Sequence, residues 1–470
     1  MFITLIVLFV IGYLVIALEH PLKVDKTATA LLLGMLMWIL YAFGAEYLVP
    51  MAESDHLAKY IAENPHEAQK SLYHQALDYI LNVKIVEALG DITQTLLFLI
   101  GAMTIVELID VHGGFSVITD RINTRKKSRL LWVVCATTFV FSAILDNMTT
   151  TIVMIMLLRK LVADQKERWI YAAMVVIAAN TGGAWSPIGD VTTIMLWVKG
   201  NVTALALIKF VLLPSLVALL VPLFIVARRL KGELPVKDNS TEGNRWLSAG
   251  ERNTMFILGV GGLIFVPIFK SLTHMPPFVG ILFVLGILWV YTEIFYNRKL
   301  SDGRYEDMPV NRLPRLIARI DMPSILFFLG ILMAVSVLQA TGVLSATAVF
   351  LDEEVHNIYA INILLGTLSS IVDNVPLVAG VMGMYPVVMD AAQVTGYEAA
   401  FVVDGTFWEF LSYCAGVGGS LLIIGSAAGV IAMGIEKINF GWYLKNFSLL
   451  ALAGYLAGAA VYIIEVMLLK

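Results

Sequence analysis

Long apolar runs separated by short polar segments form the main pattern along this chain. Many of the runs reach the roughly 18–22 residues that a helix needs to cross a bilayer. The pattern therefore predicts an all-α polytopic membrane protein. The runs lie near residues 2–18, 27–49, 91–112, 129–163, 169–198, 204–229, 253–271, 277–296, 322–342, 356–390, 400–434 and 440–469.

Two of the runs are long enough for two helices each, and each contains a polar break near its middle. Run 129–163 has basic residues at both ends, whereas run 356–390 lies between segments that are poor in Lys and Arg. Because short cytoplasmic loops collect basic residues, we expect two re-entrant helical hairpins that enter from opposite sides. Two ordinary crossing helices joined by a short loop remain the alternative. The mixed-charge segment 51–90 predicts short extracytoplasmic surface helices.

Three sequence blocks recur in the same order in the two halves of the chain. Each match is weak alone, but three ordered matches at nearly equal offsets indicate an internal repeat. The pairs are LFLIGAMTIVELIDVHGG (97–114) with LFFLGILMAVSVLQATGV (326–343), SAILDN (142–147) with SSIVDN (369–374), and GGAWSPIGD (182–190) with GGSLLIIGS (418–426).

The repeat and the opposite flanking charges predict two inverted-topology repeats, an architecture that recurs in secondary transporters. We expect about ten full spans plus two hairpins. The predicted organisation is a first repeat at 1–230 with hairpin 129–163 and broken helix 169–198, a cytoplasmic linker at 231–252, and a second repeat at 253–470 with hairpin 356–390 and broken helix 400–434.

Composition supports the membrane assignment and narrows the possible partners. Hydrophobic residues make up 59% of the 470 residues and charged residues 14%, whereas soluble domains carry about 25% charged residues. A net charge of −4 gives no indication of a nucleic-acid partner. The two cysteines, Cys135 and Cys414, both lie in apolar runs and predict neither a disulfide framework nor a zinc site. The first run lacks a basic region before it, which favours a retained helix over a signal peptide.

Each predicted hairpin carries a Ser-x-x-x-Asp-Asn element: Ser142, Asp146 and Asn147 in the first, and Ser369, Asp373 and Asn374 in the second. Ionisable residues inside a membrane are costly and are functional candidates by default. Na⁺ and Li⁺ are hard cations, and by analogy with other hard ions they prefer carboxylate, amide, hydroxyl and carbonyl oxygens. We therefore expect Na⁺ at the Asp146 and Asp373 sites. Capping of the broken helix ends by Ser and Asn is a further role for these side chains.

The interrupted spans add oxygen ligands to the hairpins. Pro and Gly in the first break free backbone carbonyls, and a second carboxylate follows them. The second break keeps the glycines but offers only hydroxyls, which equally fit small packing residues. Glu107, on the third span, is either a proton relay or a structural ion-pair partner. The candidate ligands are Asn180, Asp190, Thr192 and Thr193 in the first break, and Ser420 and Ser426 in the second.

At the two Asp-Asn hairpins, at LDNMTTTIVM and at NTGGAWSPIGDVTT, the sequence resembles the NhaD-type sodium/proton antiporters. These belong to the ion transporter superfamily, which also holds dicarboxylate transporters and arsenite permeases. The resemblance implies export of Na⁺ or Li⁺ in exchange for H⁺, a two-hairpin fold with scaffold and transport parts, and a homodimer. By motif match it points to Ser142, Asp146, Asn147, Asn180, Asp190, Thr192, Thr193, Ser369, Asp373 and Asn374.

These observations predict a secondary transporter of a bacterial inner membrane in which Na⁺ and H⁺ compete for the same carboxylates and alternating access completes the exchange. Such a protein needs no cofactor and is not an enzyme. A sodium-coupled dicarboxylate symporter and an arsenite permease of the same superfamily are the alternatives, although a carboxylate at each hairpin tip would repel an anionic substrate. An intramembrane aspartyl protease built on Asp146 and Asp373 fits the repeated broken helices less well.

Overall fold

The fold is described from a computed structural model. The structure describes residues 1–17, 22–114, 124, 126–234, 248–301, 320–371, 374–388 and 394–469. The predicted site residue Asp373 and most of the linker 231–252 lie outside these ranges. Within them the secondary-structure elements are helices, which confirms the all-α expectation.

The helices of the first half of the chain alternate between long apolar elements and shorter pieces at the predicted breaks. They are α1 (Phe2–Ala17), α2 (Lys26–Phe43), α3 (Ala45–Glu63), α4 (Leu72–Tyr79), α5 (Ile85–Val111), α6 (Lys127–Leu145), α7 (Asn147–Leu161), α8 (Gln165–Gly183), α9 (Val191–Val198) and α10 (Ala204–Arg229).

The second half shows a similar alternation. Its helices are α11 (Ala249–Thr273), α12 (Pro277–Ser301), α13 (Met322–Ala340), α14 (Val343–Glu354), α15 (Ile358–Leu368), α16 (Asn374–Met384), α17 (Thr406–Gly418), α18 (Ala427–Glu436), α19 (Phe440–Tyr443) and α20 (Leu449–Leu469). One-turn 3₁₀ helices span Glu67–Gln69 and Glu398–Phe401, and π-helical turns span Ile80–Lys84 and Leu444–Ser448.

Eight helices in the described part of the chain are long and apolar enough to cross a membrane. The sequence predicted about ten full spans, and the difference has a local cause. The first broken span is divided into α8, which has 19 residues but begins with four charged or polar ones, and α9, which has 8 residues. The second is divided into α17 with 13 and α18 with 10 residues, and α1 has only 16. Conversely α6, predicted as one leg of a hairpin, has 19 residues and is long enough to span by itself. The second predicted hairpin has two legs of 11 residues each, α15 and α16.

The third apolar run begins earlier than the hydropathy pattern suggests. Residues Leu72–Val111 form one 40-residue helical stretch through a π-helical turn. Its polar residues are paired: the Lys70 amine lies 2.6 Å from the Asp78 carboxylate, and the Lys84 amine lies 2.8 Å from the Glu53 carboxylate. The segment 51–90 is thus helical as expected: it holds the end of α3, the 3₁₀ turn Glu67–Gln69 and α4, and from Leu72 onward it continues directly into the span.

The described residues divide into two compact units, and each unit draws on both predicted repeats. The first unit comprises residues 1–96, 321–361 and 375–388. Its helices α2 and α13 pack backbone against backbone, because a Cβ added to Gly330 would lie 2.5 Å from the backbone of Ala30 and Leu31. The indole N–H of Trp38 donates to the Met333 carbonyl at 3.0 Å across the same contact.

The second unit comprises residues 97–320, 362–374 and 389–470. Helix α8 lies in its interior, where Tyr171 to Gly183 are all buried. Helix α8 packs against α6, α7, α10, α17 and α18. All predicted site residues from 142 onward that the structure describes belong to this unit.

The close contact of α2 and α13 predicts a difference between two helix glycines. We expect Gly330→Ala to lower the free energy of unfolding by about 1–3 kcal/mol, because the added methyl group overpacks a backbone contact. Gly380→Ala is the matched control, since a Cβ at Gly380 meets nothing within 4 Å. Thermal unfolding of the purified protein in detergent measures both. Equal midpoints for the two variants would contradict the described packing.

Candidate cation site

The break of the first predicted hairpin consists of one strained residue. Helix α6 ends at Leu145, α7 begins at Asn147, and Asp146 between them has φ 82° and ψ 159°. Non-glycine residues rarely adopt positive φ. The Asp146 carboxylate accepts hydrogen bonds from the Thr149 N–H at 2.7 Å and the Thr149 hydroxyl at 2.9 Å. Asp146 therefore caps α7 and compensates part of the strain.

The first broken span ends on a buried carboxylate. Helix α8 stops at Gly183, a non-helical turn follows, and Asp190 caps the N-terminus of α9. Asp190 is 1% exposed. Its Oδ1 accepts hydrogen bonds from the Thr192 N–H at 2.9 Å and the Thr192 hydroxyl at 3.0 Å. The Thr193 hydroxyl donates at 2.8 Å to the Asp190 backbone carbonyl. The local sequence Asp-Val-Thr-Thr thus builds a capping box.

Two asparagines from the predicted hairpin tips converge on Asp190. The Asn147 amide donates to Asp190 Oδ2 at 2.7 Å. The Asn374 amide donates to Oδ2 at 3.3 Å and to Oδ1 at 3.4 Å. Together with Thr192, these donors match the roughly four acceptor positions of an ionised carboxylate. Side chains distant in sequence therefore compensate the cost of burying this negative charge.

Asn180 extends the network to the second broken span. Its Oδ1 accepts from the Asn147 amide at 3.2 Å, and its own amide donates to the Ser420 hydroxyl at 3.0 Å and the Ser426 hydroxyl at 2.8 Å. Ser426 also caps α18, where it accepts from the Gly429 N–H at 3.2 Å. We call the connected side chains the Asp190 cluster; its members are Asn147, Asn180, Asp190, Thr192, Asn374, Ser420 and Ser426.

Aligned positions of the two predicted repeats make equivalent contacts. The Ser142 hydroxyl donates to the Ala179 carbonyl at 2.5 Å, and the Ser369 hydroxyl donates to the Ala415 carbonyl at 2.9 Å. Ala179 and Ala415 lie three residues before the aligned glycines of their breaks. These glycines also correspond, because a Cβ on Gly182 would meet the backbone of Phe139 and one on Gly418 would meet the backbone of Gly366.

The structure brings together most of the residues that the sequence singled out. Ser142 and Ser369 hold each predicted hairpin against its neighbouring broken helix, whereas Asp146 binds within its own helix turn. Asp373 lies outside the described residues. Glu107 is half-buried on α5.

Three residues with a clear structural role escaped the sequence prediction. The Ser412 hydroxyl donates to the Ala184 carbonyl at 2.8 Å, the Ser186 hydroxyl donates to the Ala143 carbonyl, and the Tyr443 hydroxyl donates to the Ser420 carbonyl at 2.7 Å. All three bind backbone carbonyls beside the breaks. Ser186 stands within the Gly-Pro break and could have been included, whereas Ser412 and Tyr443 lie in apolar runs without a distinguishing pattern.

The chemistry of the cluster is that of a polar pocket with one carboxylate. Asn147, Asn180 and Asn374 supply amides, Thr192, Ser420 and Ser426 supply hydroxyls, and Asp190 supplies the charge. Within the described residues, no group of three His, Cys, Asp or Glu side chains is placed to hold a metal ion. One carboxylate with neutral oxygens can balance a monovalent cation, which needs less ligand charge than a divalent one.

Comparisons with known proteins identify transporters over nearly the full length. The family described as citrate transporter matches residues 6–408. "Sodium/proton antiporter 1" of Arabidopsis thaliana is 41% identical, over 97% of this chain and 71% of the relative. "Sodium/proton antiporter 2" of the same plant is 40% identical, over 97% of this chain and 98% of the relative. "Na(+)/H(+) antiporter NhaD" of Vibrio cholerae is 28% identical, over 98% and 91%.

The capping role of Asp146 predicts a stability difference between two substitutions. Asp146→Ala removes the hydrogen bonds to Thr149, and we expect it to lower the free energy of unfolding by about 0.5–2 kcal/mol. Asp146→Asn keeps a capping oxygen on a side chain of the same size, so its thermal midpoint should stay close to that of the unmodified protein. Thermal unfolding in detergent provides the comparison. A destabilised Asn variant beside a stable Ala variant would show that capping is not the structural role of Asp146.

Proposed function

Because the chain belongs to the NhaD-type sodium/proton antiporters, within the family described as citrate transporter, we propose that it exchanges Na⁺ or Li⁺ for H⁺ across its membrane. The observation that carries the proposal is the buried Asp190 carboxylate, which accepts hydrogen bonds from both hairpin asparagines. The proposed exchange needs no cofactor, and the transported ions are the substrates of the protein.

Asp190 is the shared binding group for Na⁺ and H⁺ in this proposal. In the described arrangement its bonded partners are donors. An ionised Asp190 needs hydrogen-bond donors around it. When Na⁺ or a proton binds the carboxylate, its neighbours must instead offer oxygen atoms, because Na⁺ needs oxygen ligands and a protonated carboxyl needs an acceptor. Rotation of the Asn147 or Asn374 amide would present its oxygen and meet both demands. The two cations then exclude each other at one group, which is the condition for exchange.

We propose that the fold is two inverted repeats, at 1–230 and 253–470, with a re-entrant hairpin and a broken helix in each. The matched contacts of Ser142 with Ala179 and of Ser369 with Ala415 support this organisation. Broken helices at corresponding places near a binding site are typical of transporters that work by alternating access. Such access, in which the Asp190 cluster opens to one side and then to the other, completes the proposed exchange.

Several expectations from the sequence stay predictions within this proposal. Asp146 and Asp373 would add carboxylate ligands for Na⁺, Glu107 would relay protons, and two copies of the chain would associate as a homodimer. A bacterial inner membrane is the predicted location. The relatives come from both plants and bacteria, so the proposal does not depend on one kind of membrane. It requires only that the membrane that holds the protein carries a proton gradient.

Transport of a carboxylate is the second candidate, because the matching family is described as citrate transporter. The side chains of the Asp190 cluster do not favour a carboxylate substrate. Among the described residues that bond within the cluster none is basic, and Asp190 would repel a polycarboxylate. The same charge argument applies to a symporter that carries Na⁺ with a dicarboxylate.

Exchange activity in everted vesicles tests the proposal. After a proton gradient has been built up, Na⁺ or Li⁺ should dissipate it, as reported by dequenching of a ΔpH-sensitive dye. We expect Asp190→Asn to abolish the response, because the shared charge is lost, and citrate alone to produce none. Asp55→Asn changes an exposed carboxylate and should leave exchange intact. Full exchange by Asp190→Asn would refute the assignment of Asp190, and a response to citrate alone would favour carboxylate transport.

The hydroxyl of Thr192 offers a graded test of the same site. Thr192→Ala removes one hydrogen bond to Asp190 but keeps the charge, so we expect a rise of about 2- to 10-fold in the half-saturating Na⁺ concentration. The matched variants Asp146→Asn and Asp373→Asn test the predicted additional carboxylates in the same assay. Unchanged exchange in both variants would show that Asp146 and Asp373 are not ligands of the transported cation. An unchanged Na⁺ dependence in Thr192→Ala would show that Thr192 only caps α9.

A further inference from the structure

A buried carboxylate lies at the end of α18 that is opposite the Asp190 cluster. Helix α18 begins after its capping residue Ser426 and ends at Glu436, which is 1% exposed. The two carboxylate oxygens accept hydrogen bonds from two arginines: Oε1 from Nε of Arg159 at 2.7 Å, and Oε2 from Nε of Arg168 at 3.0 Å. We call these two ion pairs the Glu436 clamp. They tie α18 to α7, which carries Arg159, and to α8, which carries Arg168.

The backbone at the end of α18 is bound by the same segment of the chain. The Arg159 guanidinium also donates to the Ile435 carbonyl, and the Gln165 amide and the Trp169 indole donate to the Glu436 carbonyl at 3.1 Å and 2.9 Å. Such donors satisfy the last carbonyls of a helix, whereas a carboxylate at this end is opposed by the helix dipole. The Glu436 side chain is therefore not needed to complete α18, and its effect is to fix the helix against its neighbours.

Two adjacent helices connect the Glu436 clamp to the cation site. Helix α7 begins at Asn147 and carries Arg159 twelve residues later, about 18 Å along its axis; Glu436 follows Ser426 by ten residues, or about 15 Å. The two helices pack against each other. At the cluster they are joined through Asn180, which accepts from Asn147 and donates to Ser426. Helices bound at both ends cannot shift along each other unless one set of contacts is broken.

The other short helix that begins at the cluster, α9, is fixed beyond its far end in a comparable way. The Asp404 N–H donates to the Asn201 carbonyl at 3.0 Å, and the Asp404 carboxylate accepts from the Thr203 N–H at 2.5 Å and the Thr203 hydroxyl at 2.9 Å. Asp404 stands just before α17, as Arg168 stands in the first turn of α8. In each case, polar side chains at the start of one broken span hold the end of the short helix of the other.

We propose that Glu436 is a positioning residue of the cation site. Through Arg159 and Arg168 it holds α18 in register with α7 and α8, and Ser426 at the other end of α18 is thereby kept in place within the cluster. Glu436 does not touch the cation in this role. A broken clamp displaces one side of the site but leaves the Asp190 charge, so it weakens Na⁺ binding more than it slows the transport cycle. In this respect the inference rests on the proposed exchange.

Amide hydrogen exchange of the purified protein, followed by mass spectrometry, tests the positioning independently of transport. We expect Glu436→Gln to accelerate exchange along the whole of α18 by about 3- to 10-fold, including the Gly429 N–H that Ser426 caps. Glu167→Gln is the matched control, because the ion pair of Glu167 with Lys127, at 2.7 Å, joins α8 to α6 and not to α18. Acceleration confined to the last turn of α18, or equal acceleration in both variants, would overturn the proposal.

The dependence of transport on Na⁺ in proteoliposomes tests the effect on the site. We expect Glu436→Gln and Arg159→Gln to raise the half-saturating Na⁺ concentration by about 3- to 10-fold while the maximal rate changes by less than about 2-fold. Arg159→Lys keeps the charge and should restore most of the Na⁺ affinity. Because Arg159 acts through Glu436, the double variant with both Gln substitutions should show no further rise. Glu167→Gln should keep the original Na⁺ dependence.

An unchanged Na⁺ dependence in Glu436→Gln, or effects of the two Gln substitutions that add in full, would overturn the role of Glu436 at the cation site. Arg159→Gln keeps both tests decisive if Glu436→Gln fails to fold, because Arg168 still pairs with the carboxylate. If the unmodified protein showed no Na⁺/H⁺ exchange at all, the proposed function would fail, while hydrogen exchange would still decide whether the Glu436 clamp positions α18.

Discussion

The buried charge of Asp190 sets the main constraint on the second compact unit. A carboxylate at 1% exposure needs several donors, and neighbouring residues on α9 supply only part of them. The remaining donors are Asn147 and Asn374, which stand at breaks in the two halves of the chain. Asn147 and Asn374 are the first residues of α7 and α16, so two helix N-termini meet at this carboxylate. The positive φ of Asp146, the capping box at Asp190 and the serine–carbonyl hydrogen bonds lie beside these helix ends.

In our proposal the same constraint allows a small polar cluster to bind Na⁺ and H⁺ in turn. The amides of Asn147 and Asn374 are donors when Asp190 is ionised, and their oxygens can serve as ligands or acceptors when a cation or a proton arrives. The neighbouring break contributes Ser420 and Ser426, whose hydroxyls can also change between donating and accepting. In our proposal the two halves share one architecture, but Asp190 of the first break aligns with the neutral Ser426 of the second.

The sequence predicted much of this because membrane helices leave strong signals. Hydropathy located the spans, and the repeated Asp-Asn pairs together with Gly-Gly and Gly-Asp located the breaks. Helix ends were harder to predict: the helical stretch of the third span starts at Leu72, within a polar segment whose Asp78 and Lys84 form ion pairs. The hydrogen-bond partners of the site residues could not be predicted from the sequence either. The spacing of residues cannot show that Asp146 caps its own helix whereas Asp190 accepts hydrogen bonds from both asparagines. The second set of contacts joins residues up to 184 positions apart.

Proton release on sodium binding would show directly whether one carboxylate serves both cations. Na⁺ is added to the purified protein in weakly buffered detergent solution, and a pH-sensitive dye records the change, with choline as the control cation. At a pH where Asp190 is partly protonated, we expect proton release with Na⁺, none with choline, and none in Asp190→Asn. Sodium binding without proton release at any pH, or equal release from Asp190→Asn, would contradict it.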